Sequence, residues 1–175
     1  MGSVAALTAD QTLSLTTTQV RGLTTAQVVA LTTAQFVALT SDQFGVLTST
    51  QVAAIEPADT TAIGTADISS LKEISSLSTD AVVALTTVQV PTLTTAQVVA
   101  LTTAQFGALT AAQFKVLTSD QVGAIQTADA VEIGSSDITS LKEISSLSAG
   151  SVAALTTDQA KVLTTKQIVD LTTAQ

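Results

Sequence analysis

The sequence predicts an all-α repeat solenoid, a superhelix of very short capped helices with one helix per octapeptide. Three observations lead there. Leu or Ile recurs at a step of eight residues along almost the whole chain. The residues after it spell a helix-start signal. And the step of eight is incompatible with one continuous amphipathic helix, so each signal must open a new segment.

The period is read directly. Leu or Ile stands at 7, 15, 23, 31, 39, 47, 55, 63 and 71, then after six residues at 77. The series resumes at 85 and runs in eights to 141, shortens again to six at 147, and continues to 171. Octads and hexads together make a 70-residue period. Residues 7–76 and 77–146 are identical at 47 of 70 positions. The organisation is therefore a possible cloning remnant or partial octad at 1–6, a first repeat at 7–76, a second at 77–146 and a truncated third at 147–175. A fixed short period of this kind marks a repeat architecture and overrides the domain count that length alone suggests.

The regular octad reads Leu-Thr-Thr-Ala-Gln-Val-Val-Ala, as at Leu23–Ala30 and Leu93–Ala100. At about 100° per residue, eight residues advance about 80° beyond two full turns, so the Leu positions would spiral around a continuous helix and form no stripe. A β-solenoid is the alternative, supported by the abundance of Thr and Val. Its tight turns want Gly, Asn or Asp, and the chain has no Asn and no Gly recurring once per octad. Thr24-Thr25-Ala26-Gln27, by contrast, is a capping box: the Thr side chain accepts from the third helical N–H, and the Gln side chain reaches back to the N–H of Thr24. Leu23 and Val28 flank it as a hydrophobic staple.

The exceptions follow the same logic. Pro57 falls at the first helical position, where proline is favoured. Gly64 and Gly134 replace the cap Thr. Asp67 and Asp137 replace Gln and place an acid in the first turn. Pro91, at position 7, is expected to cost a helical hydrogen bond. Position 1 is Leu or Ile, and position 6 is mostly Val, Ile or Phe, with all four Phe (Phe36, Phe44, Phe106, Phe114) there; both point to a shared core. Positions 4 and 7 admit Asp42, Lys166, Arg21, Lys115 and Lys161, and face water. From Asp67 to Leu77, and again from Asp137 to Leu147, apolar residues come every three, which predicts one longer helix with a second cap at Ser70 answered by Glu73. The hexad then marks a corner, a seam or one closed superhelical repeat.

Composition limits the chemistry. The chain has no Cys, no His, no Trp and no Tyr, six basic side chains against fourteen acidic, and a net charge of −8. No zinc site, disulfide or His- or Cys-activated nucleophile can be built from it, so the chain is expected not to be an enzyme, with no catalytic, cofactor-binding or metal-binding residues and no cofactor. An acidic chain lacks the basic face that phosphates require, so no nucleic-acid partner is expected. The apolar runs are far short of the ~20 residues of a membrane span, so no membrane insertion is expected. Two acid clusters, Glu56, Asp59, Asp67 and Glu73, then Asp129, Glu132, Asp137 and Glu143, could be considered for calcium, but no calcium-loop motif accompanies them. Their simpler reading is helix-terminal charge. The Thr pairs could suggest a Thr ladder for ice or sugar; the position-2 Thr is already needed as a cap.

Leu93-Thr-Thr-Ala-Gln-Val-Val-Ala-Leu101 resembles the opening nine residues of a transcription activator-like effector repeat. That repeat's base-reading loop and basic charge are absent, and DNA binding is not carried over. A resemblance covering nearly the whole chain is to the L-T-x-x-Q-[V/I/F]-x-A octad tracts of very large bacterial surface or secreted proteins, often labelled adhesin-like or haem-utilisation-like. No His or Tyr stands where a haem ligand would be needed. The resemblance implies an extracellular or cell-surface structural segment, a spacer or scaffold whose partners are neighbouring repeats of the same long chain. A binding module using the solenoid surface for peptide, glycan or ice is the alternative. The start shows no secretory signal and the chain stops mid-octad at Gln175, which suggests a segment of a longer protein whose end faces self-associate end to end. Far-UV circular dichroism discriminates the two folds: a helical double minimum is expected, and a single β-type minimum would restore the β-solenoid.

Overall fold

The computed structural model describes residues 4–173 and residue 175. Met1–Ser3, read above as part of a cloning remnant or partial octad, lie outside them. Among the described residues there are eighteen α-helices of four to six residues, four 3-10 turns and no strand. The chain divides into two compact units, Met1–Thr92 and Leu93–Gln175. The fold is all-α, as the capping boxes predict, and the β-solenoid is set aside.

In the first unit the helices are α1 (Ala9–Leu13), α2 (Thr17–Arg21), α3 (Thr25–Val29), α4 (Thr33–Ala38), α5 (Ser41–Phe44), α6 (Ser49–Val52), α7 (Pro57–Thr60), α8 (Thr65–Ser70) and α9 (Thr79–Ala84). The second unit carries α10 (Thr95–Ala100), α11 (Thr103–Gly107), α12 (Ala111–Phe114), α13 (Ser119–Gly123), α14 (Thr127–Ala130), α15 (Ser135–Ile138), α16 (Ala149–Ala153), α17 (Thr157–Val162) and α18 (Thr165–Asp170). Twelve of these begin with a complete capping box, both halves formed. The cap residue is extended, as at Thr24 (φ −75°, ψ 160°), and the helix beyond it runs only to the next Leu. No residue among those described has a positive φ. The chain turns each corner by stepping from helical to extended backbone, which any residue can adopt. That is why no Gly or Asn recurs with the octad.

Packing within each unit follows one rule: every segment lies against the third segment after it. In the first unit α1 packs on α4, α2 on α5, α3 on α6, α4 on α7 and α5 on α8. In the second, α10 packs on α13, α11 on α14 and α12 on α15. Three octads therefore make one coil, and stacked coils bury the Leu or Ile of position 1 and the side chain of position 6 between them. Phe36, Phe44, Phe106 and Phe114 are among the most deeply buried side chains, and Phe106 and Phe114 meet edge to face with centroids 5.6 Å apart. Positions 4 and 7 face solvent, as at Asp42, Arg21, Lys115 and Val37.

The segments around the hexads differ from the expectation. Instead of one helix from Asp67 to Leu77, α8 stops at Ser70, Leu71 turns extended, and a separate 3-10 turn covers Ile74–Ser76. Ser70 caps nothing: its hydroxyl bonds back to the carbonyl of Ala66, as does that of Ser69, an alternative partner that competes with helix continuation. The 3-10 turn has three residues per turn, so a spacing of three keeps Ile68, Leu71, Ile74 and Leu77 all inward without an α-helix. In the second copy α15 stops earlier, at Ile138, the Thr139 hydroxyl bonds back to the carbonyl of Ser136, and the 3-10 turn Ile144–Ser146 follows. The hexad is neither corner nor seam. It fills one station of the coil as an octad does: α6 packs on Ile74–Ser76, α13 on Ile144–Ser146, and the latter in turn on α18. At Pro91 the α-helix is lost and Val90–Thr92 form a 3-10 turn, as the missing N–H requires.

Truncation separates inward from outward positions. Phe114→Ala is expected to lower unfolding stability by about 3–5 kcal/mol, while Val37→Ala, at a position-7 site 59% exposed, should change it by less than about 0.5 kcal/mol. Urea midpoints of the two variants measure this.

Candidate functional site

The most developed polar arrangement in the molecule is built from the Gln of position 5, and it recurs. Within its own helix the side-chain carbonyl of Gln51 accepts from the backbone N–H of Thr48 at 2.9 Å. Its amide nitrogen donates in the opposite direction, to the carbonyls of Val20 (2.9 Å), Arg21 (3.2 Å) and Leu23 (2.8 Å) one coil away. Those carbonyls belong to the C-terminal end of α2 and the corner after it, where a helix leaves acceptors without intrahelical donors. One side chain thus closes the N-terminus of its own helix and the C-terminus of a helix in the neighbouring coil. Gln35, Gln43 and Gln89 repeat this in the first unit, and Gln159, Gln167 and Gln175 in the second.

The register of these clamps reports the coil. In regular stretches the acceptors lie 28 and 31 residues back, as for Gln35 onto Leu7 and Val4. Where a hexad intervenes they lie 26 and 29 back, as for Gln167 onto Leu141 and Ile138. The shortening by two residues is the difference between an octad and a hexad, so each counts as one station.

Where position 5 is not Gln, other groups take over. Ser151 is too short to span the gap fully, yet its buried hydroxyl still donates to the carbonyl of Ile125 at 3.1 Å. Asp59 has no side-chain amide to donate. It accepts instead from Thr33 Oγ1 at 2.8 Å, and Asp67 accepts from Ser41 Oγ at 2.6 Å. In the octad from Ile125 the roles exchange: the buried acid is Asp129, and Gln126, at the cap position, supplies the amide that donates to Val99 at 3.0 Å. Asp67 and Asp137 also lie over the cap glycines. A Cβ on Gly64 would sit 2.6 Å from Asp67 Oδ2, and the same crowding occurs at Gly134. Among the described residues, no buried side-chain nitrogen or oxygen lacks a partner.

The acids singled out in the sequence are therefore placed singly. Asp59 and Asp67 each answer a hydroxyl one coil away, and Glu143 accepts from Ser119 at 3.1 Å. Among the described residues no three His, Cys, Asp or Glu side chains gather as a metal-binding set. The position-3 hydroxyls of Thr33 and Ser41, candidates for a Thr ladder, are engaged by these acids. A shallow open groove on the first unit is lined by Thr17, Ser41, Asp42, Ser69, Ser70 and Lys72. No helix among those described is long and apolar enough to cross a membrane.

Sequence reasoning identified the carbonyl half of the Gln side chain and missed the amide half. A signal was present: a capping box accepts Glu as readily as Gln, yet fourteen octads carry Gln at position 5 and none carries Glu. The isosteric change tests the missed half. Gln51→Glu keeps the capping oxygen, removes the donor and sets a carboxylate against buried carbonyls; it is expected to cost about 1–3 kcal/mol or more. Gln19→Glu makes the same change at an exposed Gln whose amide donates to no described protein group, and should fall within about 0.5 kcal/mol of wild type. Thermal unfolding at low protein concentration distinguishes them.

Comparison with known proteins agrees with this repeat chemistry. No curated protein and no solved structure matches the chain. The ALTTAQ repeat family matches it three times, at residues 4–41, 25–56 and 93–127. Those segments together cover half of the chain, and it belongs to the ALTTAQ repeat family.

Proposed function

We propose that this chain is a non-catalytic spacer or scaffold segment of a large bacterial surface or secreted protein, with neighbouring repeats of the same polypeptide as its partners. The observation that carries this reading is the clamp at position 5, whose donor and acceptor halves both act in stacking one coil on the next. Buried polar groups with defined partners recur from coil to coil, while the outer positions 4 and 7 change freely: Ala34, Asp42 and Lys166 at one, Arg21, Val37 and Gly45 at the other. A catalytic or ligand-binding surface needs particular groups at a particular place; this chain repeats Leu or Ile at position 1 and mostly Gln at position 5, and lets its outward positions vary. Stability in such a chain is a sum over units and their nearest-neighbour interfaces, which suits a length that can be extended. The resemblance to octad tracts of large surface proteins supports the extracellular placement.

Two measurements test the reading. Deleting one whole coil, Leu23–Val46, is expected to leave a helical, cooperatively folding protein that is shorter by small-angle scattering; collapse of the helical signal would count against a modular scaffold. Antibodies raised against the chain should label intact cells of the producing bacterium. Labelling confined to permeabilised cells would overturn the surface placement.

A further inference from the structure

The six basic side chains of this acidic chain are not scattered over its surface. In the first unit the hexad turn Ile74–Ser76 stacks on α6 and α6 on α3, while α2, α5 and α8 form the column that precedes them along the chain. Arg21 ends α2, and Lys72 stands second in the hexad after α8, so both lie on the edge where the chain passes between these columns. They line one open groove, with Gly45 and Val46 between them. In the second unit the column that holds the hexad turn is α10, α13, Ile144–Ser146 and α18, and the preceding one is α12, α15 and α17. Lys115 follows α12, Lys142 stands second in the hexad after α15, and Lys161 lies in the last turn of α17, on the corresponding edge. Five of the six cations thus share one place in their coils. The acids lean the other way. The column α1, α4, α7 and α9 carries Asp10, Asp59 and Asp80, with Glu56 capping α7, and no basic residue; α11, α14 and α16 carry Asp129, with Glu132 just beyond, and again no basic residue. Arg21, Lys72, Lys115 and Lys142 are exposed, and their side chains make no ion pair or hydrogen bond with a described residue.

We propose that this basic edge is a docking surface for an acidic polysaccharide, a sugar chain that bears carboxylates along its length. The cations answer the carboxylates. The groove of the first unit also offers acceptors: Asp42 and Glu73 line it, and the Ser69 and Ser70 hydroxyls, which donate to the carbonyl of Ala66, keep oxygen lone pairs free. A ligand that satisfies both kinds of group carries anions and hydroxyl donors on one chain, as an acidic sugar does. Polyphosphate has no hydroxyl donors along its length and meets Asp42 and Glu73 as like charges. A nucleic acid calls for a denser basic face and for rings on which bases stack, and all four Phe are buried. Gly45 leaves the groove open beside the carbonyl of Ser70, and in the second unit Lys115 stands at the same place and adds a cation. A linear ligand suits a linear array. Eight octads and one hexad are nine stations, three whole coils, so Lys72 and Lys142 return to the same place in their coils after 70 residues. Each exposed charge contact is weak, and many along one polymer add through multivalency. The edge is a lateral surface of the stack: Lys142 is exposed although its hexad lies between α13 and α18, and Asp42 is exposed on α5, between α2 and α8. This inference goes beyond the spacer reading, which needs no ligand.

The test is calorimetric titration with polygalacturonate at an ionic strength of about 0.1 M, where exposed charges act over about 10 Å. The wild-type chain is expected to bind it, and to bind the fully methyl-esterified polymer, the same sugars without their charge, about tenfold more weakly or worse. Polyphosphate and duplex DNA should also bind more weakly than polygalacturonate. Arg21→Gln with Lys72→Gln, Lys115→Gln and Lys142→Gln, all at exposed sites, should cost about tenfold in affinity. A control of equal net charge, Ala34→Glu with Ala58→Glu, Ala104→Glu and Ala128→Glu, puts its charges on the columns that hold no cation and should stay within about twofold of wild type. Circular dichroism checks that both variants keep their helices, and the esterified polymer tests the charge requirement without any variant. Failure of the wild-type chain to bind polygalacturonate, equal binding of the esterified polymer, equal or tighter binding of polyphosphate or DNA, or a Gln variant no weaker than its control would each overturn the proposal. Self-association of the chain that the Gln substitutions abolish would assign the edge to a second copy and overturn it as well.

Discussion

The fold depends on a single side-chain amide used at both of its ends. Helices of four to six residues are far too short to persist alone, since the cost of the first turn is repaid only by many further turns or by packing. In this chain every helix is little more than its own two ends, so almost every backbone group is one that an ordinary helix would leave without a partner. A glutamine at position 5 answers both problems from one place. Its oxygen works three residues away, and its nitrogen works across the coil onto carbonyls such as those of Val20 and Leu23. Local capping and long-range stacking therefore cannot disagree, because the same rotamer serves both. Agreement between local and global preferences is what gives a sequence one structure.

The departures from glutamine show how strict that accounting is. Serine at 151 donates over a shorter reach, aspartate at 59 and 67 reverses the direction of the bond and finds a hydroxyl opposite, and the octad at Ile125 moves its amide to position 2. Residue type and partner both change, yet among the described residues every buried side-chain nitrogen and oxygen still has a partner. Charge contributes little by comparison. The ion pairs Lys161 with Asp158 and Lys166 with Asp170 lie within single helices on exposed surface, where such pairs add a few tenths of a kcal/mol at most.

Much of this was legible in the sequence because it is local. The capping boxes, the inward positions 1 and 6, the solvent-facing positions 4 and 7 and the disruption at Pro91 all follow from relations spanning eight residues or fewer. The number of octads per coil was not legible, since it is set by the angle at each corner and reported only by bonds 26 to 31 residues long. The segment from Asp67 to Leu77 misled for a physical reason. A spacing of three fits one face of an α-helix and the eclipsed face of a 3-10 turn equally well, and the Ser69 and Ser70 hydroxyls, which decide between them by bonding back to Ala66, look like cap residues in a sequence.

That a six-residue unit occupies a station built for eight has a consequence for how such genes change. Register here is counted in corners, not in codons. Unequal recombination between near-identical octads would add or remove whole corners and leave every remaining clamp with an acceptor three stations away, whereas a unit may lose two residues and still turn its corner. Heredity can therefore alter the length of such a chain in whole steps while the chemistry of each joint stays the same, and drift in tract length between related strains would be expected to come in multiples of the corner.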